Sequence, residues 1–178
     1  MRLFIGLALP SDVREGLVIL AARAAGKQPG RFVPSALYHL TLAYLGERGC
    51  AAIETLCLML ARVSSQQATF RVTIDHLASF GFGSHGLLYA SVAPSSALTA
   101  LAANVRAQLD SLSEVYASET FVPHITLARK VPLPLASFDE FAPLGCTMNA
   151  LTLYNSTREG GALQYLPLYQ AKFQLPEE

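Results

Sequence analysis

A chain of 178 residues with 52% hydrophobic and 15% charged side chains has the composition of a compact globular protein and not of a disordered one. Its 13 Lys plus Arg balance 13 Asp plus Glu, so no global field holds a long polyanion and any nucleic-acid contact has to be local. Cys50, Cys57 and Cys146 show no CxxC spacing and read as free thiols of a reducing compartment, and no apolar run approaches the roughly twenty residues of a membrane span.

Residues 2–9, RLFIGLAL, read as a buried strand stopped by Pro10. The run is too short, and lacks a small-residue cleavage site, for a secretory signal, so a cytoplasmic protein is expected. Ser11 is placed to cap a helix over 12–25, with Val13, Leu17, Leu20, Ala21 and Ala24 on one face. A loop, GKQPGRFVPS, leads into a strand over 37–45. Gly46–Gly49 turns the chain into a helix over 50–63 with Ile53, Leu56, Leu60 and Val63 as its stripe.

Residues 69–77 alternate, Phe70, Val72 and Ile74 against Arg71, Thr73 and Asp75, as a half-exposed strand does. The Gly-rich SFGFGSHG connects it to a second strand, LLYASVA. Pro94, Ser95 and Ser96 then open a helix with Leu98, Leu101, Val105, Leu109 and Leu112 inward. A strand over 121–129, a loop over 131–145, a strand over 147–154, the turn NSTREGG and a last strand, ALQYLPLYQAKF, complete the chain. Each half thus offers a helix, a histidine-bearing strand and a later strand pair. The expected fold is α+β: a single domain over 1–178 of two similar, mainly antiparallel lobes with outer helices and a central cleft.

The histidine strands carry the chemistry. YHLTLAYLG (38–46) and FVPHITLARK (121–130) share H-[LI]-T-L-A, and the offset is constant: 124 − 39 = 85 and 126 − 41 = 85. Side chains alternate across a strand, so His39 with Thr41, and His124 with Thr126, each share one face while leucine and isoleucine take the other. A polar face of this kind is costly when buried without partners and inexpensive when it borders a cleft. Imidazole has the one unperturbed pKa at which one copy can be neutral and another charged near neutrality. A neutral imidazole takes a proton from water while an imidazolium gives one to a leaving oxygen, and two threonine hydroxyls can donate to the non-bridging oxygens between them. The constellation suits in-line displacement at phosphorus, and a strained cyclic phosphodiester is an attractive substrate because its opening needs only acid, base and charge stabilisation.

Other chemistries fit less well. Two histidines are too few for a metal site, and no Asp, Glu or Cys shares their faces at ligand spacing, so no cofactor is expected. No G-x-S-x-G elbow, P-loop or GxGxxG occurs. His76 and His85 lack the T-L context and read as bystanders, while Phe4, Phe80, Phe82 and Tyr38 are secondary candidates for stacking on a nucleobase, and Tyr154, Ser156 and Arg158 for the cleft rim.

At these motifs the sequence resembles the 2H phosphoesterase superfamily, and within it the RNA 2′,3′-cyclic phosphodiesterases of the LigT-like, 2′-5′ RNA ligase branch. The similarity extends from RLFIGLALP through both motifs to LTLYNSTREGGALQYLPL. It implies a bilobal fold with pseudo-twofold symmetry, and hydrolysis of a 2′,3′-cyclic phosphate to a 2′-phosphomonoester. It also implies His39 as proton donor, His124 as proton acceptor, Thr41 and Thr126 on phosphate oxygens, and Arg129 as a phosphate contact. Implied partners are RNA 3′ ends, tRNA-fragment-like oligonucleotides or cyclic nucleotides, bound by a monomer. Strand parity objects to Arg129: regular alternation turns it away from His124, so a bulge, a twist or its long side chain is needed. Few basic residues flank the motifs beyond Arg129, Lys130 and Arg31, which favours short ends or small cyclic nucleotides over long RNA.

Overall fold

The computed structural model of the protein describes residues 1–175. In chain order the elements are β1 (Arg2–Ala8), α1 (Ser11–Ala25), β2 (Arg31–Phe32), β3 (His39–Glu47), α2 (Ala51–Ser64), β4 (Phe70–Phe80), β5 (Gly86–Val92), α3 (Ser96–Ser111), β6 (His124–Val131), β7 (Leu144–Met148), β8 (Ala150–Glu159) and β9 (Ala162–Lys172). The fold is α+β with two antiparallel sheets, ordered β3-β1-β8-β9 and β2-β6-β5-β4-β7. Both sheets follow one plan. A histidine strand (β3 or β6) pairs with the strand that precedes its helix (β1 or β5), and two further strands extend the sheet beyond it (β8 and β9, or β4 and β7), the second sheet adding β2 on the other side of β6.

The helices form where the apolar period is 3.6 and lie over the sheets. Val13, Leu17, Leu20, Ala21 and Ala24 of α1 are buried as the spacing requires, and so are Leu98, Leu101, Val105 and Leu109 of α3. Ser95 caps α3, its Oγ accepting from the Leu98 amide at 3.3 Å. At α1 the expected cap is displaced by one residue. Ser11 is already helical, and Pro10, which has no amide proton to satisfy, offers its carbonyl to the Arg14 amide at 3.0 Å. Helix α3 stops at Ser111, and Leu112 lies outside the core.

Three further departures from the sequence reading concern the sheets. The loop before the first histidine strand contains β2, two residues that attach to the edge of β6 through Arg31↔Arg129 and Phe32↔Ala128. The expected strand over 147–154 is two strands: β7 pairs with β4, the chain crosses at Asn149, and β8 pairs with β1 in the other sheet. The closing hairpin is tighter than expected, since Asn155–Glu159 remain in β8 and only Gly160 and Gly161, at φ +56° and +84°, make the turn.

The lobes therefore do not coincide with the sequence halves. The β4–β5 hairpin of the first half joins the sheet of the second motif, and the closing β8–β9 hairpin joins the sheet of the first. The loops ahead of the motifs cross as well. β2 lies on β6, and in return Ala117 donates its amide to the Tyr44 carbonyl of β3 at 2.9 Å. The segment around Ala117 is held by the half-buried Arg48–Glu114 ion pair (2.8 Å) and by Arg48 on the Val115 carbonyl. It covers the exposed edge of β3, which would otherwise present unpaired backbone groups. One hydrophobic core, including Leu3, Ile5, Leu40, Leu88, Ile125 and Leu151, runs through both sheets.

Candidate active site

Both motif strands carry the same pair of β-bulges. Opposite β1, Ile5 pairs with Ala43 and Gly6 with Thr41, so Leu42 is the extra residue; opposite β5, Leu88 pairs with Ala128 and Tyr89 with Thr126, so Leu127 is extra. A second skip falls at Leu45 and at Lys130, the latter at φ +54°. A bulge places two successive residues on one side of the strand. Leu42 with Ala43, and Leu127 with Ala128, are accordingly all buried. The parity objection to Arg129 falls here: after the bulge its side chain returns to the face of His124 and Thr126 and shares a cavity with Thr126 and His39.

The two histidines are held alike. His39 donates from Nδ1 to the Leu37 carbonyl at 2.7 Å, and His124 donates from Nδ1 to the Val122 carbonyl at 2.8 Å. A carbonyl only accepts, so Nδ1 carries the proton in each ring and Nε2 is left for chemistry. In His39 that Nε2 accepts from the Thr41 hydroxyl at 2.9 Å.

Each ring also stands in an aromatic corner. Phe4 (4.8 Å) and Tyr165 (4.9 Å, edge-on at 83°) flank His39, while Tyr89 (5.4 Å) and Phe80 (5.1 Å, edge-on at 85°) flank His124. These four residues obey the motif offset, since 89 − 4 = 85 and 165 − 80 = 85. Tyr89 and Tyr165 are absent from the sequence-based candidates, although the offset applied to Phe4 and Phe80 leads directly to them.

This packing sets the protonation state. Burial, the largest cause, together with repulsion from His124 and Arg129, brings the His39 imidazole down from 6.5 to about 4, against the opposing pull of the Leu37 carbonyl. His124 is also lowered, by burial and then by Arg129, against the Val122 carbonyl. Both rings are thus disposed to be neutral near pH 7 when the cleft is empty.

Two cavities flank the four motif residues, and each joins the histidine of one motif to the threonine of the other. One, of about 380 Å³, is lined by Thr41, Phe80, Arg106, Phe121, Val122 and His124. The other, of about 330 Å³, is lined by His39, Thr126, Arg31, Arg129, Arg158 and Tyr165, among others. Arg106 is engaged in the protein itself, donating to the carbonyls of Leu42 (3.3 Å) and Glu119 (2.9 Å) beside the rings of Tyr116 and Phe121. Of the secondary candidates, Phe82 points into solvent at 92% exposure and Tyr38 is core, while Tyr154 stacks behind Phe4. His76 pairs with Asp75 at 2.7 Å. Among the described residues no cluster of three His, Cys, Asp or Glu side chains is disposed to hold a metal ion, and no helix is long and apolar enough to cross a membrane.

Two antiparallel sheets thus carry matching H-x-T strands whose histidines and threonines meet crosswise at two cavities, and comparison identifies the class. The family described as the 2′-5′ RNA ligase superfamily matches residues 11–160, and the chain belongs to it. Among individual relatives, the RNA 2′,3′-cyclic phosphodiesterase of Escherichia coli (strain K12) is 30% identical over 171 residues, 94% of this chain and 93% of that protein. In structure, E. coli LigT complexed with 3′-AMP superposes with a TM-score of 0.85 at 28% identity, over 97% of both chains. TT0787 of Thermus thermophilus also gives 0.85, at 26% identity, over 97% of this chain and 98% of that one.

Proposed function

We propose that the protein hydrolyses RNA 2′,3′-cyclic phosphate ends, or nucleoside 2′,3′-cyclic phosphates, to 2′-phosphomonoesters, without a metal. One observation carries this reading: two imidazoles have Nδ1 tied to a carbonyl and Nε2 turned to a hydroxyl or to the cavity, and each borders a cavity with the threonine of the other motif. A simple phosphate-binding module needs donors but has no use for a pair of proton-transfer groups. Relatives named RNA 2′,3′-cyclic phosphodiesterase support the same activity.

In this mechanism His124 Nε2 takes a proton from water as the water oxygen attacks phosphorus. His39 gives its Nε2 proton to O3′ as the P–O3′ bond breaks. The negative charge of the bound diester restores the imidazolium that the empty site disfavours. Once His39 is charged, Thr41 no longer donates to it, and its hydroxyl turns with that of Thr126 and the Arg129 guanidinium to the non-bridging oxygens. With a 5′-hydroxyl in place of water as nucleophile, the same proton transfers form the O5′–P bond as P–O3′ breaks and join 2′-5′ ends; the reverse, with acid and base exchanged, cleaves them. The protein acts as a cytoplasmic monomer.

Incubation with each of the four nucleoside 2′,3′-cyclic monophosphates in EDTA tests the reading. The expected product is the 2′-monophosphate, lost in His39→Ala and in His124→Ala. Absence of turnover on these and on an RNA ending in a cyclic phosphate overturns the enzyme reading, and turnover that stops with chelator overturns the metal-free mechanism.

A further inference from the structure

The sequence places Arg31, Arg129 and Arg158 far apart, and the fold gathers all three around the cavity on the His39–Thr126 side, with no acidic side chain in its lining. Arg31 and Arg129 face each other directly across the β2–β6 pair. Like charges directly opposite on neighbouring strands repel. Among the described residues none of the three arginines pairs with a carboxylate, and the nearest assistance is the Gly161 carbonyl, which accepts from Arg158 at 3.0 Å. In a chain of zero formal net charge this is a local concentration of cations awaiting an anion.

The opposite cavity differs in kind. Phe80, Phe121 and Val122 give it apolar walls, and its one guanidinium, Arg106, is already bound to two carbonyls. A ribose and base fit those walls, since every base has a π-face to lay on an aromatic ring. The reacting phosphate between the motifs needs one cation, and Arg129 stands beside Thr126 to provide it. Arg31 and Arg158 are then surplus to a cyclic mononucleotide.

We infer that Arg31 and Arg158 bind backbone phosphates on the 5′ side of the reacting end, so that the protein prefers a cyclic phosphate on an oligonucleotide to the same group on a mononucleotide. This rests on the phosphodiesterase reading above, and of the short ends and small cyclic nucleotides that the sparse basic flanks favour, it selects the short ends.

The test compares kcat/KM on a cyclic mononucleotide with kcat/KM on a short oligonucleotide of the same 3′-terminal base, for the wild type, Arg31→Gln, Arg158→Gln and the double variant. All three guanidinium groups lie on exposed residues, so these variants fold. The wild type is expected to favour the oligonucleotide by about tenfold or more, and the double variant to lose that preference through KM rather than kcat. In parallel, anisotropy of a labelled oligonucleotide with a 3′-phosphate is followed against salt. For single strands each lost phosphate contact lowers the log–log slope by about 0.7. An unchanged substrate ratio, or an equal fall on both substrates, overturns the inference. Wild-type protein that turns over neither substrate overturns the phosphodiesterase reading alone, because the anisotropy then decides the subsite: weaker, less salt-dependent binding in the variants upholds it, and unchanged binding refutes it.

Discussion

The pH dependence of the reaction follows from the aromatic corners around the histidines. With His39 brought down to about 4, roughly one empty site in a thousand carries its proton on that ring at pH 7, against about one in four for a solvated imidazole at 6.5. Catalysis requires one charged and one neutral ring. In the free enzyme that state peaks between the two macroscopic pKa values of the pair, and both are lowered. kcat/KM reports the free enzyme, so its profile is expected to be a bell with both limbs below 6.5, falling about tenfold per pH unit on the alkaline side. kcat reports the complex, where the diester anion favours the imidazolium, and its bell is expected to move to higher pH. Initial rates on cyclic CMP from pH 3.5 to 8.5, at saturating and limiting substrate, separate the two profiles. A kcat/KM profile that still climbs between pH 6.5 and 8 would refute the argument.

Other expectations follow from the same geometry. A methyl group at Gly6 would lie 2.7 Å from the Leu40 carbonyl oxygen, where ordinary contact begins near 3.4 Å, so Gly6→Ala has to push β1 off the β3 strand that presents His39 and Thr41. A loss of about 1–3 kcal/mol in urea titration is expected, with a fall in kcat on the order of tenfold to a hundredfold; native activity would show that the strand yields elsewhere. Thr126→Ala should lower kcat by about 10²-fold with little change in KM, as loss of a donor to developing negative charge does. Thr126→Ser is the control that keeps the hydroxyl. Stability should fall in acid through His39. Its folded pKa, about 4, lies below the unfolded value of 6.5, so the unfolded chain takes up more protons, and stability present above 6.5 is lost as pH drops through 4. The loss amounts to about 3 kcal/mol at most. The difference in urea midpoint between wild type and His39→Gln, measured at pH 7 and pH 4, reads it, and a pH-independent difference would contradict it.

Much of this architecture is legible in the sequence because it is written in periods. The helical stripes of α1 and α3 and the alternation of β4 fix their own elements, and the 85-residue spacing of the motifs marks two related faces. The features that escape have no local signature. β2 is two residues long and exists only because β6 offers an edge, a tertiary fact with no hydrophobic period behind it. Residues 147–154 read as one strand because the change of sheet takes a single residue, Asn149, too short an interruption to break an extended run. The bulges at Leu42 and Leu127 leave a faint sign, two adjacent apolar residues (Leu-Ala) in an otherwise alternating strand, and that sign carries the placement of Arg129. The arginine cluster has no counterpart in the linear chain at all, since its members lie on β2, β6 and β8 and meet only after the sheets form.

The crossed loops bear on how the protein opens and comes apart. Two lobes joined by a single linker could swing about it, and either could be expressed without the other. Here the strand order makes each sheet a composite of early and late chain, and each pre-motif loop is fastened to the opposite histidine strand. A cut anywhere between the motifs leaves both sheets short of strands, so neither fragment should hold a histidine in place, and mixing the two is the only route back to a working cleft. The same interlocking ties the two sheets to each other at both pre-motif loops, where a single linker would tie them at one point.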